Sequence, residues 1–599
     1  MKTKSRSIKK EVILDGMPTS PGIAMGPVYI FNPYPINIAE LGSEAKDPDQ
    51  EILLFDRARR RVLEQLKFAK ENSEASYGDQ FSDIFETQQA FLNDQVLMDE
   101  IKKAIGDKAQ SAVHVVAEIL SQKSDYFINL ENTYFRERAF DIIDLKQKLI
   151  LALVGINIDY QLSQPSIVLA ETLSPSDTVH FNRKFILGFL TDKGGKTAHA
   201  TILARGLRIP AVVNRINLSK LLNRDDFLII DGFKGTIIIN PNDATIEKYQ
   251  QLLQYHQKIN EDLIETAQEK AVTRDGQEIQ LLVNIELPNE LEYDKNTFAD
   301  GIGLFRTENI FLQYKYQPDE ETQFQIYARL IEKVAPHPVV IRTIDVGGDK
   351  MIAGFGPQRE LNPYLGWRAI RFCLDRPEIF KTQLRAILRS SVFGNVIILI
   401  PMVSTLEEID QTKALIKEAQ EELKLKNLRF NDKVPLGIMV ETPAAAIYAD
   451  KFARHVDYFS IGTNDLTQYV LAIDRTNDRV ARYYNSFNPA VLLLMHKTIQ
   501  AAQKRHIGVS ICGEFGAQPE AIALLIGMGL RSFSMSPQFI PWAKKVIRSL
   551  DTRQCIDLFK EVKKLDTSKQ VEQKCLEFVG KLVPDLNVRE KSQIPEIRE

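Results

Sequence analysis

Residues 436–465 read LGIMVETPAAAIYADKFARHVDYFSIGTND, and this stretch decides the fold that we predict for the second half of the chain. Two short apolar runs, 436–440 and 458–461, are separated by a longer stretch of helical pattern. Polar side chains stand where the runs end, Glu441 after the first and Asn464 after the second. Short apolar runs that alternate with helices are typical of buried parallel strands with helical connections.

The same pattern recurs along the second half of the chain. The candidate strands, each followed by a longer helical stretch, are 281–285, 301–305, 339–344, 396–400, 436–440, 458–461, 508–511 and 532–535. Eight strand and helix pairs within about 270 residues predict a (β/α)8 TIM barrel.

Chemically active side chains follow these candidate strands. They are Asn284, Arg306, Arg342 with Asp345, Met402, Glu441, Asn464 with Asp465, Cys512 with Glu514, and Ser534. Active sites of TIM barrels lie at the carboxyl ends of the strands. The sequence therefore predicts one site at this end of the barrel.

Three arginines favour an anion site there. Arg306, Arg342 and Arg368 occur in GIGLFRTE, IRTIDVGGDK and NPYLGWRAIR, and each guanidinium is a rigid fork of donors that suits a phosphate. A single arginine more often forms an ordinary ion pair. Several of them at strand ends indicate that they converge on one phosphate.

Two carboxylates and one thiol each leave two interpretations open. Glu441 and Asp465 are hard oxygen ligands suited to a magnesium ion that bridges a phosphorylated substrate, or they form salt bridges to the same arginines. Cys512, in SICGEFG, is either an acid that protonates a carbon or an ordinary buried thiol.

A second motif, GGKTAHATILAR at residues 194–205, sets His199 at the start of a predicted helix behind two glycines. The glycines permit a tight turn, Thr197 can cap the helix, and the free amides of the first turn favour a bound phosphate. Lys196 adds a positive charge. The motif predicts that the neutral imidazole of His199 attacks phosphorus and carries the phosphoryl group covalently.

The first part of the chain predicts an α/β domain with an insertion. Apolar runs recur at 166–170, 185–192, 227–231 and 236–240, whereas the region before them is amphipathic and helical. Within that region Phe55, Val62 and Leu66 fall on one helical face. We expect residues 1–44 and 154–242 to form one domain, 45–153 an inserted helical domain, 243–271 a polar helical linker, and 272–599 the barrel and the C-terminal region.

Composition limits the functional class. The 599 residues carry a formal net charge of -3 with both signs mixed, which argues against charge-driven binding to nucleic acid or a membrane surface. No apolar run reaches the length of a membrane span. The 4 cysteines, Cys373, Cys512, Cys555 and Cys575, show no metal-ligand spacing. A reduced compartment, the cytoplasm, fits best.

The motifs together resemble the Enzyme I family of the bacterial sugar phosphotransferase system, from GMPTSPGIAMG near the start to FSMSPQFIP near the end. The His199 loop resembles the phosphohistidine domain that Enzyme I shares with pyruvate phosphate dikinase and phosphoenolpyruvate synthase. The barrel motifs that carry the resemblance are GIGLFRTE, RTIDVGGDK, NPYLGWRAIR, IMVETPAAA, IGTNDLTQY, DR at 474–475, and CGE. The chain departs from the family at Lys196, where arginine is usual, at Ala198, where serine is common, and at Gln88, where histidine is favoured.

The resemblance implies a role for each site residue. Glu441 and Asp465 would bind Mg2+, and Arg306, Arg342 and Arg368 would hold the phosphate of phosphoenolpyruvate. Asn464 and Arg475 would hold the carboxylate end, and Cys512 would protonate the enolate of departing pyruvate. His199, on a swivelling domain, would pass the phosphoryl group to a histidine of the phosphocarrier HPr. FETQQAFLND and TYFRERAFDIIDL in the helical insertion resemble the part that docks HPr, and the C-terminal region would form a homodimer through the barrel.

Other functions fit the sequence less well. A dikinase or a synthase needs a nucleotide domain, and neither a Walker A loop nor a glycine-rich nucleotide segment occurs in the sequence. A catalytically silent HPr-binding paralogue would not need the histidine, the acidic pair, the arginines and the thiol together. A nitrogen-regulating paralogue would be expected to carry a further sensory domain, so we expect the sugar branch.

Overall fold

The computed structural model divides the chain into two units, formed mainly by residues 1–255 and 256–591. It describes residues 10–31, 47–77, 82–108, 110–128, 133–156, 162, 164–171, 173, 181, 183–192, 204, 209–214, 217–223, 226–286, 298–313, 318–347, 362–475, 477 and 479–583. His199 and its neighbours Lys196, Thr197 and Ala198 lie outside the described residues.

One sheet organises the first unit. Its strands are β1 (Val12–Asp15), β2 (Met17–Ser20), β3 (Ile23–Phe31), β4 (Ser166–Ala170), β5 (Ile186–Thr191), β6 (Ala211–Val213), β7 (Phe227–Asp231) and β8 (Thr236–Ile239), in the order β1-β8-β7-β3-β4-β5-β6-β2. Strands β3 to β6 are parallel neighbours, and the remaining pairs are antiparallel. Because side chains alternate along β4, Ile167 and Leu169 pack in one apolar core and Val168 and Ala170 in another.

Between β3 and β4, the described residues form five helices. They are α1 (Pro48–Tyr77), α2 (Ser82–Asn93), α3 (Gln95–Lys108), α4 (Ala112–Ile128) and α5 (Thr133–Val154). They have a core of their own, in which the predicted face of Phe55, Val62 and Leu66 is buried. The predicted α/β domain with a helical insertion is therefore confirmed as an architecture.

The second unit is a closed barrel of parallel strands. After α6 (Asp243–Gln268) come β9 (Gln280–Ile285), β10 (Ile302–Arg306), β11 (Pro338–Arg342), β12 (Asn395–Ile400), β13 (Leu436–Val440), β14 (Tyr458–Ile461), β15 (Gly508–Ile511) and β16 (Ser532–Met535). Each strand pairs with the next in parallel, and β16 closes the ring on β9. The predicted TIM barrel is confirmed.

The barrel is filled rather than hollow. Leu304, Val340, Leu399, Met439 and Tyr458 pack together inside it. The helices that follow the strands are α7 (Glu308–Gln313), α8 (Glu320–Val334), α9 (Ile370–Asp375), α10 (Pro377–Ser390), α11 (Leu406–Leu425), α12 (Pro443–Ile447), α13 (Ala449–Phe452), α14 (Thr463–Leu471), α15 (Pro489–Arg505), α16 (Pro519–Gly527), α17 (Ile540–Ser549), α18 (Thr552–Val562) and α19 (Ser568–Leu582). A packed interior leaves the end of the barrel as the place for a site.

Some of the helices start at recognisable side-chain caps. Asp319 accepts a hydrogen bond from the amide of Thr322 at the start of α8, and Thr405 forms a capping box with Glu408 at the start of α11.

None of the helices in the described ranges is both long enough and apolar enough to cross a membrane.

Candidate active site at the barrel mouth

Strand register brings the predicted site residues to one end of the barrel. Arg306 ends β10 and Arg342 ends β11, and the two are direct partners in the parallel ladder. Glu441 directly follows β13, and Cys512 directly follows β15. Because carboxyl ends of parallel strands meet at the same end of a barrel, these side chains lie around one opening, which we call the barrel mouth.

Arg342 is buried and held by carboxylates. Its Nη2 donates to Oε1 of Glu308 at 2.7 Å, and its Nη1 lies 3.5 Å from Oδ2 of Asp345. Burial alone would lower the pKa of Arg342, but the charges of Glu308, Asp345 and Glu441 outweigh burial and raise it. The guanidinium is therefore permanently charged.

Arg368 binds the same aspartate in a forked geometry. Its Nε and Nη2 donate to the two carboxylate oxygens of Asp345 at 3.1 and 2.8 Å. Its Nη1 lies 3.7 Å from Oδ1 of Asp465 and 3.4 Å from the hydroxyl of Tyr469. Asp345 thus lies between Arg342 and Arg368 and contacts both. Asp465 is also paired with Arg368, which is the salt-bridge interpretation of this carboxylate.

Arg306 faces a different partner. Its Nη1 donates to Oε1 of Glu286 at 2.7 Å, and the amide of Asn309 donates to the other oxygen of that carboxylate at 3.0 Å. Its Nε is buried and has no hydrogen-bond partner among the described residues. The ion pairs therefore group Arg342 with Arg368 but leave Arg306 apart.

Glu441 is a buried carboxylate with a raised pKa. It is 1% exposed, and its Oε1 accepts the amide of Met402 at 2.7 Å. Met402 has a φ of 60°, in the left-handed region that non-glycine residues rarely adopt. Gly462 lies against the other oxygen, since a Cβ there would be 2.8 Å from Oε2. Burial raises the pKa of Glu441, and the charges of Asp465 and Asp345 add to the effect.

The donor set fits a cation that takes few protein ligands. Within the described ranges, no cluster of three or more His, Cys, Asp or Glu side chains is placed to hold a metal ion. Mg2+, however, is often bound by one or two carboxylates together with water and substrate phosphate. Glu441 and Asp465 match that pattern, and a cation beside them would offset both the burial and the repulsion from Asp465 that raise the pKa of Glu441.

Cys512 is held in place through its backbone. The amide of Asn284 donates to the carbonyl of Cys512 at 2.8 Å, and the hydroxyl of Ser534 donates to Oδ1 of Asn284 at 2.5 Å. The thiol donates to the carbonyl of Ile461 at 3.6 Å. Burial and the charge of Glu441 raise the pKa of Cys512 to about 11, so the sulfur keeps its proton at neutral pH. That state suits an acid, and it equally suits an inert thiol.

The remaining predicted ligands lie on and after α14. Asn464 is in the first turn of this helix, and its carbonyl accepts the hydroxyl of Tyr484 at 3.1 Å. Arg475 follows the helix, and its amide donates to Oε1 of Gln468 at 3.3 Å. Both are positioned by backbone contacts, and their roles toward substrate stay predictions.

Two carboxylates of the site were missed in the sequence. Glu286 and Glu308 bind predicted arginines, yet neither was among the predicted site residues. Glu308 stands inside GIGLFRTE, two residues after Arg306. The rule that a buried arginine requires a paired carboxylate could have pointed to it.

Gln88 lies on α2, one of the five helices between β3 and β4. Its side chain is fully buried, where its amide donates to Oδ2 of Asp144 at 2.7 Å and its Oε1 accepts from Lys148 at 3.0 Å. Lys148 also contacts Asp144 at 2.8 Å. The departure from the family at this position therefore affects packing between α2 and α5.

Comparison with known proteins gives matches along nearly the whole chain. Three domain families match, described as PEP-utilising enzyme, N-terminal (residues 15–138), PEP-utilising enzyme, mobile domain (162–235), and PEP-utilising enzyme, PEP-binding domain (260–552).

Relatives described as phosphoenolpyruvate-protein phosphotransferase match at full length. The protein from Priestia megaterium is 37% identical over 90% of this chain and 94% of its own length. Those from Staphylococcus carnosus and Mycoplasma capricolum are 36% and 34% identical, over 93% and 95% of this chain and 97% and 99% of their own lengths. A solved structure titled Enzyme I is 30% identical over 41% of this chain and 99% of that chain, with a TM-score of 0.37, too low to support a comparison of folds.

Proposed function

Since the chain belongs to the phosphoenolpyruvate-protein phosphotransferase family, we propose that His199 takes the phosphoryl group from phosphoenolpyruvate and passes it to a histidine of the phosphocarrier HPr. The observation that carries this assignment is the barrel mouth, where Asp345 joins two buried arginines beside the buried carboxylate of Glu441. Buried charges of both signs at the catalytic end of a barrel are typical of a site for an anionic substrate. A silent paralogue would have no use for such an arrangement.

The reaction consists of two phosphoryl transfers. The lone pair of the His199 imidazole attacks phosphorus, and the bond between phosphorus and the enol oxygen breaks, so that the enolate of pyruvate leaves. The histidine of HPr then attacks the same phosphorus, and the bond to His199 breaks. Positioning and charge neutralisation supply most of the catalysis in such transfers.

The arginines bind and orient the phosphate. Arg342 and Arg368 present fixed guanidinium groups, and we assign the phosphate to them and to Arg306. We assign the carboxylate end of the substrate to Asn464 and Arg475. Two anchored ends would hold phosphorus in line for the incoming imidazole.

We propose Mg2+ as the cofactor, held by Glu441 and Asp465. The side chains assigned or paired at the barrel mouth comprise four arginines and five carboxyl groups, of which Glu441 is protonated at neutral pH when no cation is bound, so the remaining charges roughly cancel. Phosphoenolpyruvate is itself an anion, and these side chains alone offer it no net positive charge. When bound, Mg2+ supplies positive charge that neutralises the phosphate and the developing enolate oxygen.

Cys512 is the proposed acid that completes the first half-reaction. Its thiol would give a proton to the methylene carbon of the enolate, which yields pyruvate, and would regain a proton from water. The raised pKa keeps the thiol protonated between turnovers.

Helices α1 to α5, which share a hydrophobic core of their own, are proposed to dock HPr. We propose a homodimer formed by the barrel unit. We also place the protein in the cytoplasm, and the four buried free cysteines support this.

Labelled substrate tests the proposal. The protein is incubated with phosphoenolpyruvate labelled in the phosphoryl group and Mg2+, with and without HPr. We expect acid-labile label on the protein that is chased onto HPr when the carrier is present. Failure to label the folded protein would contradict the assignment.

A further inference from the structure

We propose that Glu308 is a positioning residue that fixes the guanidinium of Arg342 for phosphoryl transfer, an inference that rests on the proposed function. Glu308 is the first residue of α7 and lies two positions after the end of β10. Its Oε1 accepts from Nη2 of Arg342 at 2.7 Å and from the backbone amide of Asp345 at 3.1 Å. One carboxylate oxygen thus holds both an arginine head group and the segment that follows it.

The backbone of that segment is fixed without Glu308. The hydroxyl of Thr307 donates to the carbonyl of Arg342 at 2.9 Å, and the amide of Ile344 donates to Oε1 of Gln383 at 2.9 Å. Gln383 in turn donates to Thr307 at 3.1 Å. All of these contacts are buried, so the distinct contribution of Glu308 is to the side chain of Arg342.

Hydrogen bonds are observed to only one of the two carboxylate oxygens of Glu308 in the described part of the chain. The residue is 3% exposed, and its Oε2 is buried without a hydrogen-bond partner in the described part of the chain. Asp345, by contrast, uses both oxygens to bind Arg368. A buried, incompletely paired carboxylate is costly for stability, and such groups in native proteins call for a functional explanation.

The contact also fixes how the remaining donors of Arg342 are oriented. Nη2 binds Glu308, Nη1 faces Asp345, and Nε is buried with no hydrogen-bond partner among the described residues. Each Nη also carries a second N–H, and we assign the N–H donors of Arg342 that Glu308 and Asp345 leave unused to the substrate phosphate. Glu308 then acts by holding the rest of the fork still.

The charge of Glu308 gives this role a kinetic signature. A carboxylate beside the phosphate site repels the bound substrate, yet a fixed arginine stabilises the transition state. Loss of the charge should therefore help binding and harm the transfer step. A residue that only stabilises the fold would not separate the two.

The variant Glu308→Gln tests this separation. Label transfer from phosphoenolpyruvate to the protein is measured in a single turnover over a range of substrate concentrations. We expect the rate at saturation to fall at least about tenfold, while the substrate concentration at half-maximal rate stays equal or falls. A saturating rate within about twofold of the parent, or a raised half-saturating concentration with an unchanged rate, would overturn the role.

Glu320→Gln is the matched control. Glu320 is also the first residue of a helix, and it binds Arg385 at 2.7 Å and Arg389 at 2.8 Å between α8 and α10. The control should leave both kinetic quantities unchanged. An equal loss in the control would overturn the inference, because general destabilisation would then explain both results.

A conservative variant keeps the test decisive if Glu308→Gln misfolds. Glu308→Asp keeps the charge on a shorter stem that cannot reach both partners, and it should show a smaller loss in the same direction. If Glu308→Gln does not fold, Glu308→Asp decides, and a parental rate overturns the role. If the parent itself takes no label, the proposed function fails; if the parent is active and the variants match it, only the role of Glu308 fails.

Discussion

Replacing Arg342 with lysine keeps a positive charge at the end of β11 but removes a planar, forked donor. In the structure Nη2 lies 2.7 Å from Glu308, and Nη1 lies 3.5 Å from Asp345. A single ammonium on a flexible stem cannot keep both contacts and also present a fixed donor to phosphate. The substitution therefore separates geometry from charge.

The expected effect is large on rate and moderate on stability. Loss of a fixed donor whose contact strengthens in the transition state costs about 2–4 kcal/mol, or roughly a thirtyfold to several-hundredfold fall in turnover. The variant also leaves buried carboxylate oxygens short of a donor, which should lower the free energy of unfolding by about 1–3 kcal/mol.

Single-turnover labelling at saturating phosphoenolpyruvate measures the rate, and thermal unfolding shows that the variant is folded at the assay temperature. Arg385→Lys is the control, since Arg385 forms partly buried ion pairs with Glu320 and Glu422, which lie on neighbouring helices. A rate for Arg342→Lys within about twofold of the parent would refute the reasoning, because charge alone would then suffice.

His199, Cys512 and Glu441 each give a shorter prediction. His199→Ala should abolish acid-labile label while phosphoenolpyruvate binding, measured by calorimetry, survives; stable labelling of this variant would exclude His199 as the nucleophile. Cys512→Ala should lower steady-state pyruvate release by about 10²-fold or more, and a loss below about threefold would leave Cys512 as an ordinary buried thiol. Burial and the charge of Asp465 raise the pKa of Glu441 from 4.5 to about 8, so its contribution to stability is present below pH 4.5 and is lost as pH rises through 8. Glu441→Gln should flatten that loss in denaturation experiments with a chelator present, and an unchanged pH dependence would exclude Glu441 as its source.

The barrel could be predicted because its strands are buried on both faces. The predicted run 436–440 coincides with β13, and 396–400 differs from β12 by one residue. The predicted run 339–344 extends beyond β11, which ends at Arg342. The reason is local: the amide of Ile344 donates to the side chain of Gln383, so an apolar, buried residue leaves the ladder. The apolar pattern of a sequence indicates which residues are buried, and here the buried residues continue past the end of β11.

The partners of the site residues could not be predicted in the same way. Strand ends identify Arg306 and Arg342, because every strand of a parallel barrel ends at the same side. Which carboxylate each arginine binds depends on side-chain rotamers and on segments between strands and helices. The pairing rule indicates that a carboxylate such as Glu308 should be nearby, but that Glu286 binds Arg306 and Glu308 binds Arg342 is visible only in the structure.

Gln88 illustrates a different limit. Hydrophobic periodicity assigns apolar residues to the core. It therefore does not predict that a polar residue of α2 is buried there. Gln88 is buried because Asp144 and Lys148 on α5 satisfy its amide. A polar contact across two helices is a property of their packing, which the pattern of one helix does not contain.

The internal ion pairs explain how several arginines can share one opening before substrate arrives. Two buried guanidinium groups close to each other would repel, and Asp345 removes that repulsion by binding both. The incoming phosphate must therefore compete with a carboxylate that already satisfies the arginines. Positive charge placed beside Glu441 and Asp465 would draw those carboxylates away from the arginines, as Asp465 now lies 3.7 Å from Arg368. If the proposed cation binds there, cation and phosphate would favour each other's binding, because each would relieve the carboxylates or arginines that the other leaves unpaired.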